Sequence, residues 1–138
     1  MKNKTKFLKN SRNSYKVSKN VFYSLKYAFF GLSYCFQSTR NFRIQIIFGL
    51  LAIAFCLIMN CNKYEFITVI AIIFSVLILE LINTAIETLV DLSINNEYNK
   101  LAKIAKDCSA ASVLLASINS IFVAAFIFIP KIRLLLFN

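Results

Sequence analysis

Three long apolar segments constrain this chain more than any other feature of its sequence. Residues 44–61 and 108–129 carry no charged side chain, and the segment between them is apolar or small from Phe66 to Leu79. A helix needs about 17–25 mostly apolar residues to cross the hydrocarbon core of a bilayer. We therefore predict an all-α integral membrane protein with three transmembrane helices, at about residues 44–61, 64–93 and 108–129.

The composition favours a bilayer as the main surroundings of the folded chain. Of the 138 residues, 59% are hydrophobic and 16% are charged, whereas about a quarter of the residues are charged in soluble domains. Lysine and arginine number 16 against 6 acidic residues, so the formal net charge is +10. A nucleic-acid-binding protein would need a folded soluble face for this charge, and the chain lacks the polar residues to build one. The basic excess instead favours an anionic membrane surface as a partner.

The chain before the first span divides into a basic tail and an amphipathic segment. Residues 1–19 are rich in lysine, asparagine and serine, and we expect a disordered tail there. We expect no signal peptide, because no apolar segment or cleavage site follows these charges. Residues 20–43 place apolar side chains at helical spacing, with lysine and arginine on the other side. This pattern predicts a surface helix at the membrane interface; the alternative, compatible with it, is a helix packed on partner helices. Residues 20–138 would form one domain.

The placement of basic residues indicates how the spans are oriented. Thirteen of the sixteen lysine and arginine residues lie before the first span or in the segment 94–107, which we interpret as a polar loop. Because basic loops stay on the cytoplasmic side, we predict that both regions are cytoplasmic. The turn at 60–63 and the C-terminus would then lie on the other side of the membrane. Pro130 is expected to end the third span.

The second predicted span carries a group of polar side chains in its C-terminal half. Glu80, Asn83, Glu87 and Asp91 fall on one stripe about 80° wide when the helix advances 100° per residue. A central carboxylate in a bilayer costs about 2.5–3.5 kcal/mol, so an aligned set indicates a functional site. One carboxylate could take a proton from a hydroxyl, and another could bind Mg²⁺. The alternative is a solvated helix end just beyond the membrane surface.

Other residue types narrow the chemistry further. Lys106 and Asp107 would place a cation for phosphate beside an acid; the alternative is that Lys106 is only a topology charge. With only two glycines, the chain cannot build a glycine-rich phosphate loop. If ATP binds, it would therefore bind through carboxylate–metal and lysine contacts.

The four cysteines lack zinc-binding spacing and there is no histidine, so we interpret the cysteines as structural.

Two segments around these polar residues make a family recognisable. The first, ELINTAIETLVD, begins at Glu80, and the second, LAKIAKDCSAA, begins at Leu101. They closely resemble the signature of the prokaryotic diacylglycerol kinase family, which includes undecaprenol kinases. SLKYAF from Ser24 and RNFRI from Arg40 are similar to the family's surface helix and its entry into the first span. The resemblance covers about residues 20–130.

The resemblance implies a homotrimer that transfers the γ-phosphate of ATP to a lipid hydroxyl, with its active sites at the cytoplasmic interface. It implies that Glu80 is the general base, that Asn83 orients the site near the acceptor, and that Glu87 binds Mg²⁺. The nucleotide contacts that it implies are Tyr27, Glu87, Glu97, Tyr98, Asn99, Lys106 and Asp107.

Two positions depart from the family pattern. Thr39 stands where well-known members have a second metal-binding glutamate, and Gln45 stands where some members have a carboxylate. Threonine is a poor ligand for Mg²⁺. The metal would therefore be held by Glu87 with phosphate oxygens and water, unless another residue contributes.

Three functions are compatible with these residues. A lipid kinase would use diacylglycerol, undecaprenol or another long-chain alcohol as its acceptor. A small proton-coupled transporter or channel would use the stripe of Glu80, Glu87 and Asp91 as a proton relay, but it leaves Lys106 and Asp107 without a role. A membrane scaffold without enzymatic activity would pair the carboxylates with basic residues across an oligomer.

Overall fold

The computed structural model describes residues 21–95 and 97–137, which contain helices and no β-strand. α2, α3 and α4 are each long and apolar enough to cross a membrane. This confirms the predicted all-α fold with three spans after an N-terminal helix. The tail predicted for residues 1–19 lies outside the described residues. The four helices are α1 (Val21–Ser38), α2 (Arg40–Ile58), α3 (Lys63–Ser93) and α4 (Lys100–Phe137).

α1 belongs to a compact unit of its own, which extends to Arg40, and the three spans form the second unit. The apolar face of α1 is exposed along its length, for example at Leu25 and Phe29, as expected for an interfacial helix. The helix ends at Ser38 rather than at residue 43 as predicted. The Ser38 hydroxyl donates to the Tyr34 carbonyl at 2.7 Å. The Thr39 hydroxyl donates to the Cys35 carbonyl at 2.8 Å. Such side-chain bonds compete with the backbone hydrogen bonds of the helix.

α2 ends in a left-handed cap. Asn60 adopts a φ of 49°, a conformation that asparagine tolerates better than most residues. The Asn60 N–H then donates to the carbonyl of Leu57 at 3.2 Å, and the Cys61 N–H donates to the carbonyl of Cys56 at 3.0 Å. These two bonds satisfy carbonyls that a helix end otherwise leaves unpaired. The chain can therefore turn back at once toward α3.

α3 begins with a capping box directly after this turn. The Asn62 side chain accepts from the N–H groups of Tyr64 and Glu65, at 2.9 and 3.0 Å. The Glu65 carboxylate accepts in return from the Asn62 N–H at 2.7 Å. The same carboxylate lies 2.9 Å from Nζ of Lys131 on α4. This ion pair joins the beginning of α3 to the last part of α4.

α4 is longer than the predicted span at both ends. Asn99 accepts at its side-chain oxygen from the N–H of Leu101, 2.9 Å away, so residues 100–107 form the first turns of α4 rather than a loop. The prediction that Pro130 ends the helix is wrong, because α4 continues to Phe137. Proline removes one backbone donor, but helices in apolar surroundings tolerate this loss because neighbouring groups satisfy the freed carbonyl.

The core of the three spans lies near the α2–α3 turn. Cys56, Val69 and Ile127, one from each span, are buried against one another. Phe55 and Phe128 meet edge to face with their ring centroids 5.0 Å apart, a favourable aromatic geometry. Partly buried apolar side chains surround this centre: Ala52, Cys61, Phe66, Ile73, Val123 and Phe128.

Gly49 sets the approach of α2 to α3. A Cβ at this position would lie 3.0 Å from Cγ2 of Ile73, closer than ordinary van der Waals contact. Small residues in membrane helices let backbones come close and maximise packing between helices. A larger side chain at position 49 would therefore clash with Ile73 of α3.

We predict that Gly49→Leu lowers the free energy of unfolding by about 1–3 kcal/mol, because overpacking forces neighbouring side chains and backbone to shift. Denaturant titration in detergent micelles measures this loss. Gly31→Leu is the matched control, since a Cβ at Gly31 would meet nothing within 4 Å. Equal stability losses in the two variants would contradict the close contact.

Candidate functional site

A groove of about 660 Å³ is lined by residues of all three spans. Most of its wall is apolar, as at Phe48, Val76 and Leu114. Five polar side chains of α2 and α3 are among its lining residues: Asn41, Gln45, Glu80, Asn83 and Glu87.

Glu80 is the most deeply buried of these polar residues, with 3% of its surface exposed. Gln45 on α2 donates from Nε2 to Oε2 of Glu80 at 2.9 Å. A carboxylate that is removed from water needs such a donor, because an unpaired buried charge is very costly. Glu80 therefore sits in a dry position with one oxygen fixed by a neutral donor.

Asn83 connects Glu87 on α3 to α4, the third span. Its amide nitrogen donates to Oε1 of Glu87 at 3.2 Å. Its carbonyl oxygen accepts from the Ser109 hydroxyl on α4 at 2.7 Å. Asn83 and Ser109 are both buried, so the bond between them is shielded from solvent. The amide of Asn83 thus has both of its ends occupied and is fixed in one orientation.

Ser109 was given no role by the sequence analysis, although it lies within the second signature segment. Its hydroxyl is also within 2.9 Å of the Lys106 carbonyl in its own helix. The available signal was a small polar residue at the start of an apolar helix, three positions after Lys106. That signal is weak, because serine in such helices commonly bonds to its own backbone.

Asp91 and Lys106 form a separate pair outside the groove lining. Nζ of Lys106 lies 2.5 Å from Oδ1 of Asp91, and both side chains are partly exposed. The stripe predicted from helix geometry therefore divides. Glu80, Asn83 and Glu87 line the groove, whereas Asp91 neutralises a lysine of α4.

The remaining predicted site residues do not line the groove. Glu97, Tyr98 and Asp107 are exposed. Asn99 has a structural role as the N-terminal cap of α4, since its side-chain oxygen accepts from two backbone N–H groups. Tyr27 lies on α1, in the other compact unit.

The carboxylates suit a metal that takes few protein ligands. Within residues 21–95 and 97–137, no three side chains of histidine, cysteine, aspartate or glutamate come together as a metal cage. Mg²⁺ needs no such cage, because it binds one or two carboxylates and keeps its other positions for water and phosphate oxygens. Glu87 fits this mode, since it is partly exposed and Asn83 bonds to only one of its oxygens.

The fold and this site define a small helical membrane protein with a carboxylate–amide cluster beside an apolar groove. Residues 26–128 match the family model described as prokaryotic diacylglycerol kinase. The chain belongs to the prokaryotic diacylglycerol kinase family, which confirms the resemblance seen in its signature segments.

Two curated relatives support this membership. A diacylglycerol kinase of Synechocystis sp. is 38% identical over 97 residues, which cover 70% of this chain and 55% of that protein. An undecaprenol kinase of Bacillus subtilis is 33% identical over 102 residues, which cover 70% of this chain and 77% of that protein. The chain therefore spans about half the length of the first relative and about three quarters of the second.

We predict that Ser109→Ala lowers the free energy of unfolding by about 1–3 kcal/mol, because the buried oxygen of Asn83 loses its donor. Denaturant titration in micelles measures the change. Ser117→Ala is the control, since the Ser117 hydroxyl bonds only to the Val113 carbonyl of its own helix among the described contacts. A loss of the same size in the control would contradict a specific role of Ser109.

Proposed function

We propose that this protein is an ATP-dependent kinase that phosphorylates a membrane lipid alcohol, either diacylglycerol or undecaprenol. The observation that carries the proposal is the buried Glu80, which lines a mostly apolar groove together with Glu87. A lipid acceptor has one hydroxyl at the end of long hydrocarbon chains, and this groove offers an acid–base group within apolar walls. The names of the two relatives add independent support.

Glu80 acts as the general base in this proposal. Its free carboxylate oxygen takes the proton of the acceptor hydroxyl, whose oxygen attacks the γ-phosphorus of ATP. The bond from that phosphorus to the bridging oxygen breaks, and ADP leaves with the electron pair. Such transfer depends mainly on positioning and on charge stabilisation, so a small set of side chains is sufficient.

Glu87 would hold Mg²⁺, which when bound neutralises charge on the phosphate oxygens. Asn83 orients the carboxylate of Glu87 through their hydrogen bond and is in turn fixed by Ser109. The hydroxyl of Thr39 donates to the Cys35 carbonyl and brings no carboxylate. Phosphate oxygens and water would therefore complete the coordination of the metal.

The nucleotide would be held by residues at the beginning of α4 and in the preceding loop. For Tyr27 of α1, nucleotide contact stays a prediction from the family resemblance. Lys106 supplies the positive charge for phosphate. To do so, it would have to leave its ion pair with Asp91. Asp107 neighbours this lysine, and the exposed side chains of Glu97 and Tyr98 can reach a ligand from solvent. For Asn99, nucleotide binding would be added to its capping role.

The proposed surroundings follow from charge and from family membership. The protein would form a homotrimer in the bacterial plasma membrane, with its active sites on the cytoplasmic side. The basic N-terminal region would lie against anionic lipid headgroups. A proton-coupled transporter gains less support, because the stripe on which it would depend is divided by the pairing of Asp91 with Lys106.

We predict that Glu80→Gln lowers the rate of phosphate transfer by about 10²–10⁴-fold, the usual contribution of a general base. Radiolabelled γ-phosphate in mixed micelles, with diacylglycerol and undecaprenol offered separately, measures the rate and identifies the acceptor. The control is Glu65→Gln at the other end of α3, where glutamine preserves the capping box. Absence of labelled lipid from the wild-type protein would exclude the kinase, and full activity of Glu80→Gln would exclude the base.

We predict that Glu87→Gln raises the Mg²⁺ concentration needed for half-maximal transfer by about tenfold or more, because the metal loses its carboxylate. A Mg²⁺ titration of the transfer rate at fixed ATP measures the shift, with Glu65→Gln again as the control. An unchanged Mg²⁺ requirement would remove Glu87 from the metal site.

A further inference from the structure

Gln45 contacts the Glu80 carboxylate from another helix. Its Nε2 lies 2.9 Å from Oε2 of Glu80, across 35 positions of sequence and from α2 to α3. Both residues line the groove. A change at Gln45 would therefore act first on the carboxylate that the proposed function uses as its base.

The chemistry of the pair fixes which way the Gln45 amide points. The amide donates from its nitrogen to Oε2 of Glu80, a carboxylate oxygen that can accept such a bond. The amide oxygen, Oε1, then faces away, and within the described part of the chain it is buried without a hydrogen-bond partner. An unpaired buried acceptor is unfavourable. Packing alone would therefore favour an apolar side chain, and the amide is explained by what its nitrogen does at Glu80.

We infer that Gln45 is a positioning residue, which holds one oxygen of Glu80 so that the other is presented to the acceptor hydroxyl. This inference rests on the proposed function. A neutral donor suits the task, because it stabilises the carboxylate without bringing a second negative charge next to it. A carboxylate free to rotate would present its basic oxygen less often in the geometry that the transfer needs.

The test is a double-mutant cycle on the phosphate-transfer rate. Gln45→Leu is expected to lower kcat about 10- to 100-fold, the effect of misplacing a reacting group, with the KM for ATP unchanged. In a Glu80→Gln background, Gln45→Leu should have no further effect, because the group that it positions is already absent. A purely structural role would lower the rate by the same factor in both backgrounds, and this outcome would overturn the inference.

Two further variants keep the test decisive. Gln45→Met has nearly the shape of glutamine without its donor, and it should match Gln45→Leu in kcat while retaining the wild-type thermal midpoint within a few degrees. Gln37→Leu makes the matched exchange on α1, where Gln37 bonds only to Ser33 among the described contacts, and should leave kcat unchanged. Wild-type kcat in a folded Gln45→Met would overturn the positioning role, whereas an inactive wild-type protein would overturn the kinase proposal itself.

Discussion

Polar groups within the three spans need partners inside the protein, because the hydrocarbon core of a bilayer offers no water to bond with them. Glu80 meets this need through Gln45 of α2, and Asn83 meets it through Ser109 of α4. The same contacts that satisfy these groups therefore tie the three spans together. The polar cluster therefore depends on the docking of the helices, because its partners come from different spans.

The two ends of the bundle are built differently. Near the α2–α3 turn, helix caps, an apolar core and the ion pair of Glu65 with Lys131 close the structure. Toward the other end of α3, burial decreases in steps from Glu80 to the half-exposed Asp91. The proposed tasks follow this gradient, since proton transfer gains from a dry position, whereas a metal that keeps water and phosphate ligands needs access to solvent.

Much of the fold could be predicted because it depends on local properties. The lengths of the apolar segments required three spans, and α3 fills the predicted range to within one residue. The bounds of α4 could not be predicted in the same way. The helix begins at Lys100, earlier than predicted, where the Asn99 side chain caps it. It also continues past Pro130, and the next residue, Lys131, pairs with Glu65. The Asn99 cap is a local feature that hydropathy does not reveal, whereas Lys131 and Glu65 lie far apart in sequence, where periodicity detects no contact.

By itself the sequence determined the family, through its signature segments, and the side of α3 on which the candidate site residues lie. A helix repeats every 3.6 residues, so its faces can be assigned from the sequence. Only the tertiary structure decided which side chains hold these groups. Asn83 and Ser109 are 26 positions apart, and Gln45 and Glu80 are 35 apart. Their partnership depends on the packing of separate helices, and that packing also assigned Asp91 to Lys106 rather than to the groove.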